Sequence, residues 1–258
     1  WQSRDQTLLQ LFEGNAQGKL RLILEENDPT WVDLHDDLTP LKDNRRLLWS
    51  TEKSGRRQLV LVDRKSGTES PFTDEPEAVD GINAVDEDKG LVFYAARRDR
   101  GRQRQLFVKA LAGGAATQLT LEPGFHGAHF DDSGHFFVHT GSDFGQPPRV
   151  DVRDQTGKRV QTIDDNPAAE LLALKRPAPQ WLDVKADDGT VLNAVLLPPV
   201  NQKPGVKYPV IADIYGGPTG ADAGRFWQRS YLVWTHWTQS GYGVLLLDVR
   251  GSSGRDRA

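Results

Sequence analysis

A polar turn followed by a short apolar strand occurs three times in the first two thirds of the chain, at nearly constant spacing. The copies begin at Lys42, Asp86 and Asp131 and run into Leu47-Leu48-Trp49, Leu91-Val92-Phe93-Tyr94 and Phe136-Phe137-Val138. Leu47 to Leu91 is 44 positions, and Leu91 to Phe136 is 45. Each strand leads through a polar tip to another: Leu59-Val60-Leu61-Val62, Leu106-Phe107-Val108 and Val150-Asp151-Val152. A turn and a shorter segment follow each time, at 69–73, 117–120 and 159–163. Three or four strands in about 40–50 residues is the footprint of a β-propeller blade. One such set cannot bury its own faces, so neighbouring sets must stack. Residues 7–24 look like the end of a preceding blade, giving about three and a half blades in all. A β-sandwich also spaces strands regularly. The repeat here is of strand sets and not of single strands, which favours the propeller. No substantial helix is then expected between 40 and 165.

The pattern changes after residue 170. Residues 171–175 and Arg176-Pro177-Ala178-Pro179 read as a linker. Residues 181–186 and 191–199 read as a hairpin, with Asp188-Gly189 in its turn. Residues 208–215 read as a strand buried on both faces, as a parallel sheet requires. Gly216-Gly217 allow a sharp turn, and Pro218 stops any continuation. Residues 226–240 read as a helix capped by Gly241. Trp227, Tyr231 and Trp234 step by four and three onto one face, which is core packing and not a ligand cage. A strand over 243–249 follows, and strand, helix, strand is the parallel α/β unit. The expected division is 1–170, the C-terminal part of a β-propeller domain, and 171–258, the truncated start of an α/β-hydrolase domain.

Composition narrows the function. The chain has no Cys, which excludes disulfides and Cys-ligated metal, and no Met. Its net charge of −4 argues against a dedicated nucleic-acid surface. No apolar run approaches the roughly 20 residues of a membrane span. The chain opens at Trp1 and stops soon after an apolar strand, so both ends read as cuts and a fragment is expected. The basic run 97–104 lies between two strands without the interleaved aromatics of a phosphate-binding patch, and reads as a solvated hairpin tip. His126, His129, His135 and His139 cluster along the chain, and His135 and His139 would share one face of a strand. They lack the spacing of HExxH or zinc-finger sites, so packed or surface histidines fit better than a metal site. No metal or cofactor is expected.

Three segments carry a resemblance. Lys207-Tyr208-Pro209, Asp213-Ile214-Tyr215-Gly216-Gly217-Pro218 and Asp248-Val249-Arg250-Gly251-Ser252 resemble the prolyl oligopeptidase clan of serine peptidases. The Tyr-Gly-Gly-Pro form and the hairpin ending Leu196-Leu197-Pro198-Pro199 are similar to its dipeptidyl peptidase IV branch. The acylaminoacyl-peptidase branch more often has His at position 215. The resemblance spans the chain; it is specific in 181–258 and generic before that. It implies a β-propeller joined to an α/β-hydrolase domain, and a serine peptidase that removes dipeptides from peptide N-termini, often after Pro or Ala. Oligopeptidase or acylaminoacyl peptidase activity is the alternative within the clan. A non-catalytic propeller binding module is the alternative of another class. The implied partners are peptide substrates and a second copy in a homodimer, and the implied compartment is the periplasm or the cell exterior.

The resemblance transfers one site residue. The Tyr matching Tyr215 donates its hydroxyl to the oxyanion of the tetrahedral intermediate, and a phenol fixed at a strand end suits that role. The alternative role is a buried Tyr with a structural hydrogen bond. Glu25-Glu26 lacks the motif that surrounds the clan's amino-terminus-binding glutamates, so that role does not transfer. The G-x-S-x-G nucleophile elbow is absent, because Gly251-Ser252-Ser253-Gly254 lacks the spacing. Nucleophile, acid and base are therefore expected outside this chain, which alone should be inactive. Asp248 and Arg250 have no acid–base partner nearby in sequence and read as a strand-end salt bridge or loop anchor.

Overall fold

The computed structural model describes residues 1–255 except Asp132, Pro218 and Thr219. The expected stop at Pro218 lies outside the described residues.

The first part is built of antiparallel sheets whose strands follow chain order. A hairpin comes first, β1 (Leu8–Gly14) and β2 (Leu20–Asn27). A four-stranded sheet follows: β3 (Leu38–Pro40), β4 (Arg46–Thr51), β5 (Gln58–Asp63) and β6 (Glu69–Pro71). The second set is β7 (Val79–Asp86), β8 (Leu91–Arg98), β9 (Gln103–Ala110) and β10 (Thr117–Gln118). The third is β11 (Phe125–Phe130), β12 (Phe136–Asp143), β13 (Gln146–Asp154) and β14 (Arg159–Asp164). One parallel pair, Phe125 with Arg104, joins the third set to the second. The three sequence repeats fall on β4, β8 and β12. The first strand of each set has no matching signal in the sequence. β3 has three residues, β7 contains Gly81 and two bulges, and β11 contains Gly127.

Alternation along β8 explains how the sets stack. Successive side chains of a strand point to opposite faces. Val92, Tyr94 and Ala96 pack with Leu48, Leu59 and Phe72 of the preceding set. Phe93 and Ala95 pack with Phe137 of the following set. The middle set is thus covered on both faces, so β8 is apolar throughout its centre. The β1–β2 hairpin stacks the same way, with Leu9, Ile23 and Leu24 against Leu47, Trp49, Val60 and Val62. The buried Glu26 carboxylate accepts the Trp49 indole N–H across this junction at 2.6 Å. Serial stacking of a hairpin and three sets of four strands is consistent with a propeller-like fold. No helix lies between 40 and 165 among the described residues.

The histidine cluster resolves into a buried pair. His135 precedes β12 and shares no face with His139. His126 and His139 are buried on neighbouring strands with ring nitrogens 2.9 Å apart, and His126 Nε2 lies 2.9 Å from the Glu122 carbonyl. Gly141 makes the room, since a Cβ there would sit 2.9 Å from the His139 ring. Burial lowers both pKa values; the nearby Arg153 adds to this at His139, which falls to about 4. In the unfolded chain each titrates near 6.5. The unfolded state therefore binds more protons between these values, and stability declines as pH falls through that window. Thermal melts should show the midpoint dropping on acidification below 6.5, and His139→Gln should flatten the slope. A midpoint unchanged down to about pH 4 would contradict the buried neutral pair.

The second part is a mixed sheet. A short helix, α1 (Ala169–Ala173), begins two residues before the expected linker and overlaps its start. β15 (Gln180–Lys185) and β16 (Val191–Leu197) form the expected hairpin. β17 (Val210–Asp213), α2 (Tyr231–Gln239) and β18 (Gly243–Leu247) form the strand–helix–strand unit, with β17 and β18 parallel. The sheet order is β15-β16-β18-β17. Two expectations need correction. β17 is an edge strand with Val210 55% exposed, and not one buried on both faces. α2 starts at Tyr231 and not at 226, because the preceding residues bond to the first part instead. The Arg225 N–H donates to the Arg102 carbonyl at 2.7 Å, and Phe226 packs on Phe125 at 5.0 Å.

A third correction concerns the basic tip. Arg97 and Arg102 are buried, not solvated. Arg100 and Arg102 both pair with Asp183 on β15, and the Asn193 side chain donates to the Arg100 carbonyl at 2.8 Å. Asp99 and Arg100 take left-handed φ of 56° and 58°. Glu77 holds that turn by accepting the N–H groups of Arg100 at 2.9 Å and Gly101 at 2.8 Å. The neighbouring β12–β13 tip inserts Phe144, 2% exposed, into the core formed by Val195, Leu197, Tyr231, Trp234, Val244 and Leu246.

Candidate functional site

Tyr215 follows β17 by two residues, at the end of a parallel strand. The strand stops at Asp213, which pairs with Leu246, the last residue but one of β18. Gly216 then turns the chain with φ of +70°. The Tyr215 ring folds back over its own loop. A Cβ on Gly217 would lie 2.5 Å from the ring, and one on Gly220 would lie 3.2 Å from it. Only glycine fits at 217 with the ring in this position. Tyr215 is 59% exposed in this chain.

Carboxylates fix this loop at both ends. Asp213 accepts the Trp234 indole N–H at 2.7 Å, tying the end of β17 to α2. Asp248, buried just beyond β18, accepts the N–H groups of Asp222 at 2.6 Å and Ala223 at 3.1 Å. The Asp248 N–H itself donates to the Asn193 carbonyl on β16 at 2.9 Å. This is the loop anchor that the sequence suggested. Arg250 pairs with Asp188 in the β15–β16 turn at 2.8 Å, the strand-end salt bridge. Both residues have structural partners in this arrangement.

Asp222, which no sequence signal marked, completes the set. Burial raises its pKa and the charges of Asp248 and Asp213 add to this, while the Tyr215 backbone N–H donates to its carboxylate and opposes the rise. A carboxyl whose pKa is higher folded than unfolded costs stability once pH rises above its unfolded value. Asp222→Asn should therefore raise the melting midpoint at neutral pH, with the gain vanishing in acid, where both states are protonated. A lower midpoint at neutral pH would contradict this reading of Asp222.

The loop after β18 also borders a cleft of about 1030 Å³, between Arg250 and Arg255 on one side and Trp31, Leu34, Arg57 and Asp80 of the first part on the other. Tyr215 is not among its lining residues. Ser252 is buried in this loop, and the Ser253 N–H donates to the Gly220 carbonyl at 3.3 Å. Among the described residues no hydrogen bond links either serine to a histidine. Among them, too, no helix is long and apolar enough to cross a membrane.

Serially stacked sets of four strands running into a β-α-β unit define the class: a propeller-like β region joined to an α/β unit. The family model for the dipeptidyl peptidase IV (DPP IV) N-terminal region matches residues 1–148. The chain belongs to the dipeptidyl peptidase IV branch of the prolyl oligopeptidase clan. A probable dipeptidyl-aminopeptidase B of Emericella nidulans is 28% identical over 193 residues, 71% of this chain and 21% of that protein. Dipeptidyl peptidase 4 of Trichophyton equinum is 23% identical over 257 residues, 94% of this chain and 33% of that protein. The chain thus spans a third or less of the length of these relatives. The crystal structure of Porphyromonas gingivalis dipeptidyl peptidase 4 superposes with a TM-score of 0.90 at 24% identity, over 99% of this chain and 37% of that one. A likeness at that identity shows the fold alone.

Proposed function

We propose that this chain is part of a serine-type dipeptidyl aminopeptidase that removes dipeptides from peptide N-termini, often after Pro or Ala. Residues 1–170 are the C-terminal part of its β-propeller domain, and 171–258 are the start of its α/β-hydrolase domain. The observation that carries the proposal is Tyr215, a half-exposed phenol at the end of a parallel strand, in a loop anchored by a buried carboxylate.

In the proposed reaction a serine outside these residues attacks the scissile carbonyl, and a histidine takes its proton. An aspartate orients the histidine. The carbonyl oxygen becomes an oxyanion, which accepts hydrogen bonds from the Tyr215 hydroxyl and a backbone N–H. Collapse breaks the C–N bond, the leaving amine takes the proton from histidine, and water hydrolyses the acyl-enzyme by the same route. A donor fixed before the charge develops needs no rearrangement when it appears. The propeller restricts access and positions the peptide terminus, and the whole protein acts as a homodimer.

The test compares the full-length protein with the 258-residue chain on dipeptide-proline and dipeptide-alanine reporters. The full-length protein should turn them over and be silenced by a serine-directed phosphonate, and the chain alone should be inactive. Phosphonate-resistant turnover would rule out the serine mechanism. A full-length protein inert on all peptides would favour a binding module.

A further inference from the structure

The basic tip that enters the second part also reaches the cleft wall. Arg97, next to last in β8, is 8% exposed although it carries a full charge. Its Nε donates to Asp80 on β7 at 2.8 Å, and a terminal nitrogen lies 2.8 Å from the same oxygen. Arg104 on β9 approaches the other Asp80 oxygen at 3.0 Å. The Arg97 guanidinium lies over the Phe125 ring of β11, 4.7 Å from its centroid. A planar cation held by a carboxylate and an aromatic face keeps one orientation.

The loop after β18 rests on this side chain. A Cβ on Gly254 would lie 2.7 Å from the Arg97 Cζ and 2.8 Å from its Nε. A Cβ on Gly101, in the same tip, would lie 2.8 Å from the Gly254 carbonyl oxygen. The two parts thus meet here in van der Waals contact. Residues 250–255 line the cleft from one side, and Ala78, Val79 and Asp80 from the other. Arg97 joins the two walls, since Asp80 belongs to one and Gly254 to the other. The Ser253 N–H donates to the Gly220 carbonyl, and Arg255 donates to the Val191 carbonyl. Those bonds tie the loop to the second part itself. Its distance from the first part is left to the contacts at Arg97 and Gly101.

We infer that Arg97 is a positioning residue for this cleft: a strut of the first part, fixed by Asp80, that sets where the 250–254 wall of the second part stands. Arg97 is not among the residues lining the cleft, so it acts through that wall and not on a ligand. In the full-length protein the consequence is for how tightly peptide is held and not for the chemical step. That consequence rests on the proposed peptidase reading; the placing of the wall does not.

Arg98 supplies a matched control. It is the next residue of β8, pairs with the buried Glu75 at 2.5 Å and lies over the Phe107 ring at 4.3 Å, all within the first part. Arg97→Gln and Arg98→Gln each remove one paired, stacked guanidinium, and only the first one lies against Gly254. Hydrogen exchange on the full-length protein should show residues 250–254 exchanging about tenfold faster in Arg97→Gln, with β16 and β18 unchanged. Arg98→Gln should leave 250–254 as in the wild type. Equal acceleration by both variants, or none by Arg97→Gln, overturns the inference whether or not the protein is a peptidase. On peptide substrates, Arg97→Gln should raise KM several-fold with kcat little changed, and Arg98→Gln should alter neither. An unchanged KM beside a loosened loop overturns the link to peptide binding. No turnover by the wild type overturns the peptidase reading and leaves the exchange result standing. Should Arg97→Gln not fold, Asp80→Asn releases the strut at its fixed end, and an unchanged 250–254 segment there overturns the inference equally.

Discussion

Replacing Tyr215 by Phe in the full-length enzyme should lower kcat by on the order of 10²–10³, roughly 2.7–4 kcal/mol, with KM nearly unchanged. The substrate carbonyl carries its full charge only after attack, so a donor aimed at it contributes mainly in the transition state. Phe keeps the ring that lies over Gly217 and Gly220, so the loop should keep its shape. The hydroxyl alone is lost. Thermal stability should hold while turnover falls. A variant with near-normal kcat, in an enzyme limited by its chemical step, would make Tyr215 structural.

The second large effect should come from Phe144→Ala, measured by chemical denaturation of the 258-residue chain. Phe144 sits on a hairpin tip of the third four-stranded set but is buried in the core of the second part. Its ring stacks on Trp234 at 6.0 Å and meets Trp181 and Tyr231 edge-on at 5.8 and 5.5 Å. Truncating a buried Phe typically costs about 3–5 kcal/mol, from lost burial and the cavity left behind. Because the ring joins two parts, its loss should also uncouple their unfolding, with the 171–258 region melting first. Phe144→Leu keeps most of the volume and should recover most of the stability. A cost below about 1 kcal/mol for the alanine variant would mean that the core closes without the tip.

These two residues also mark what the sequence makes legible. Periodic features were readable. Strand sets recurring at Leu47, Leu91 and Phe136 announced the stacked sheets, and the step from Trp227 to Tyr231 to Trp234 announced the face of α2. Tyr215 stood out because its motif is local, a strand followed by glycines. Contacts between distant residues left no such trace. Arg102 and Asp183 are 81 positions apart, so the basic tip looked like any solvated hairpin. Phe144 is a single aromatic beside Gly145, with no repeat to mark it. Asp222 matters because the fold brings it to Asp248 and to the Tyr215 backbone, and nothing in its flanking sequence says so. The late start of α2 follows from the same cause. Tertiary hydrogen bonds took backbone groups that local propensity would have given to a longer helix.

A dipeptidyl aminopeptidase of the proposed kind must read a free peptide N-terminus and cut two residues in. The most direct measurement is mass analysis of products from one proline-containing peptide offered with a free and with an acetylated N-terminus. The N-terminal dipeptide should be released from the free peptide, and the acetylated one should not be cleaved. Equal cleavage of both, or cleavage of the acetylated peptide alone, would contradict it and assign the protein to an oligopeptidase or acylaminoacyl-peptidase activity instead.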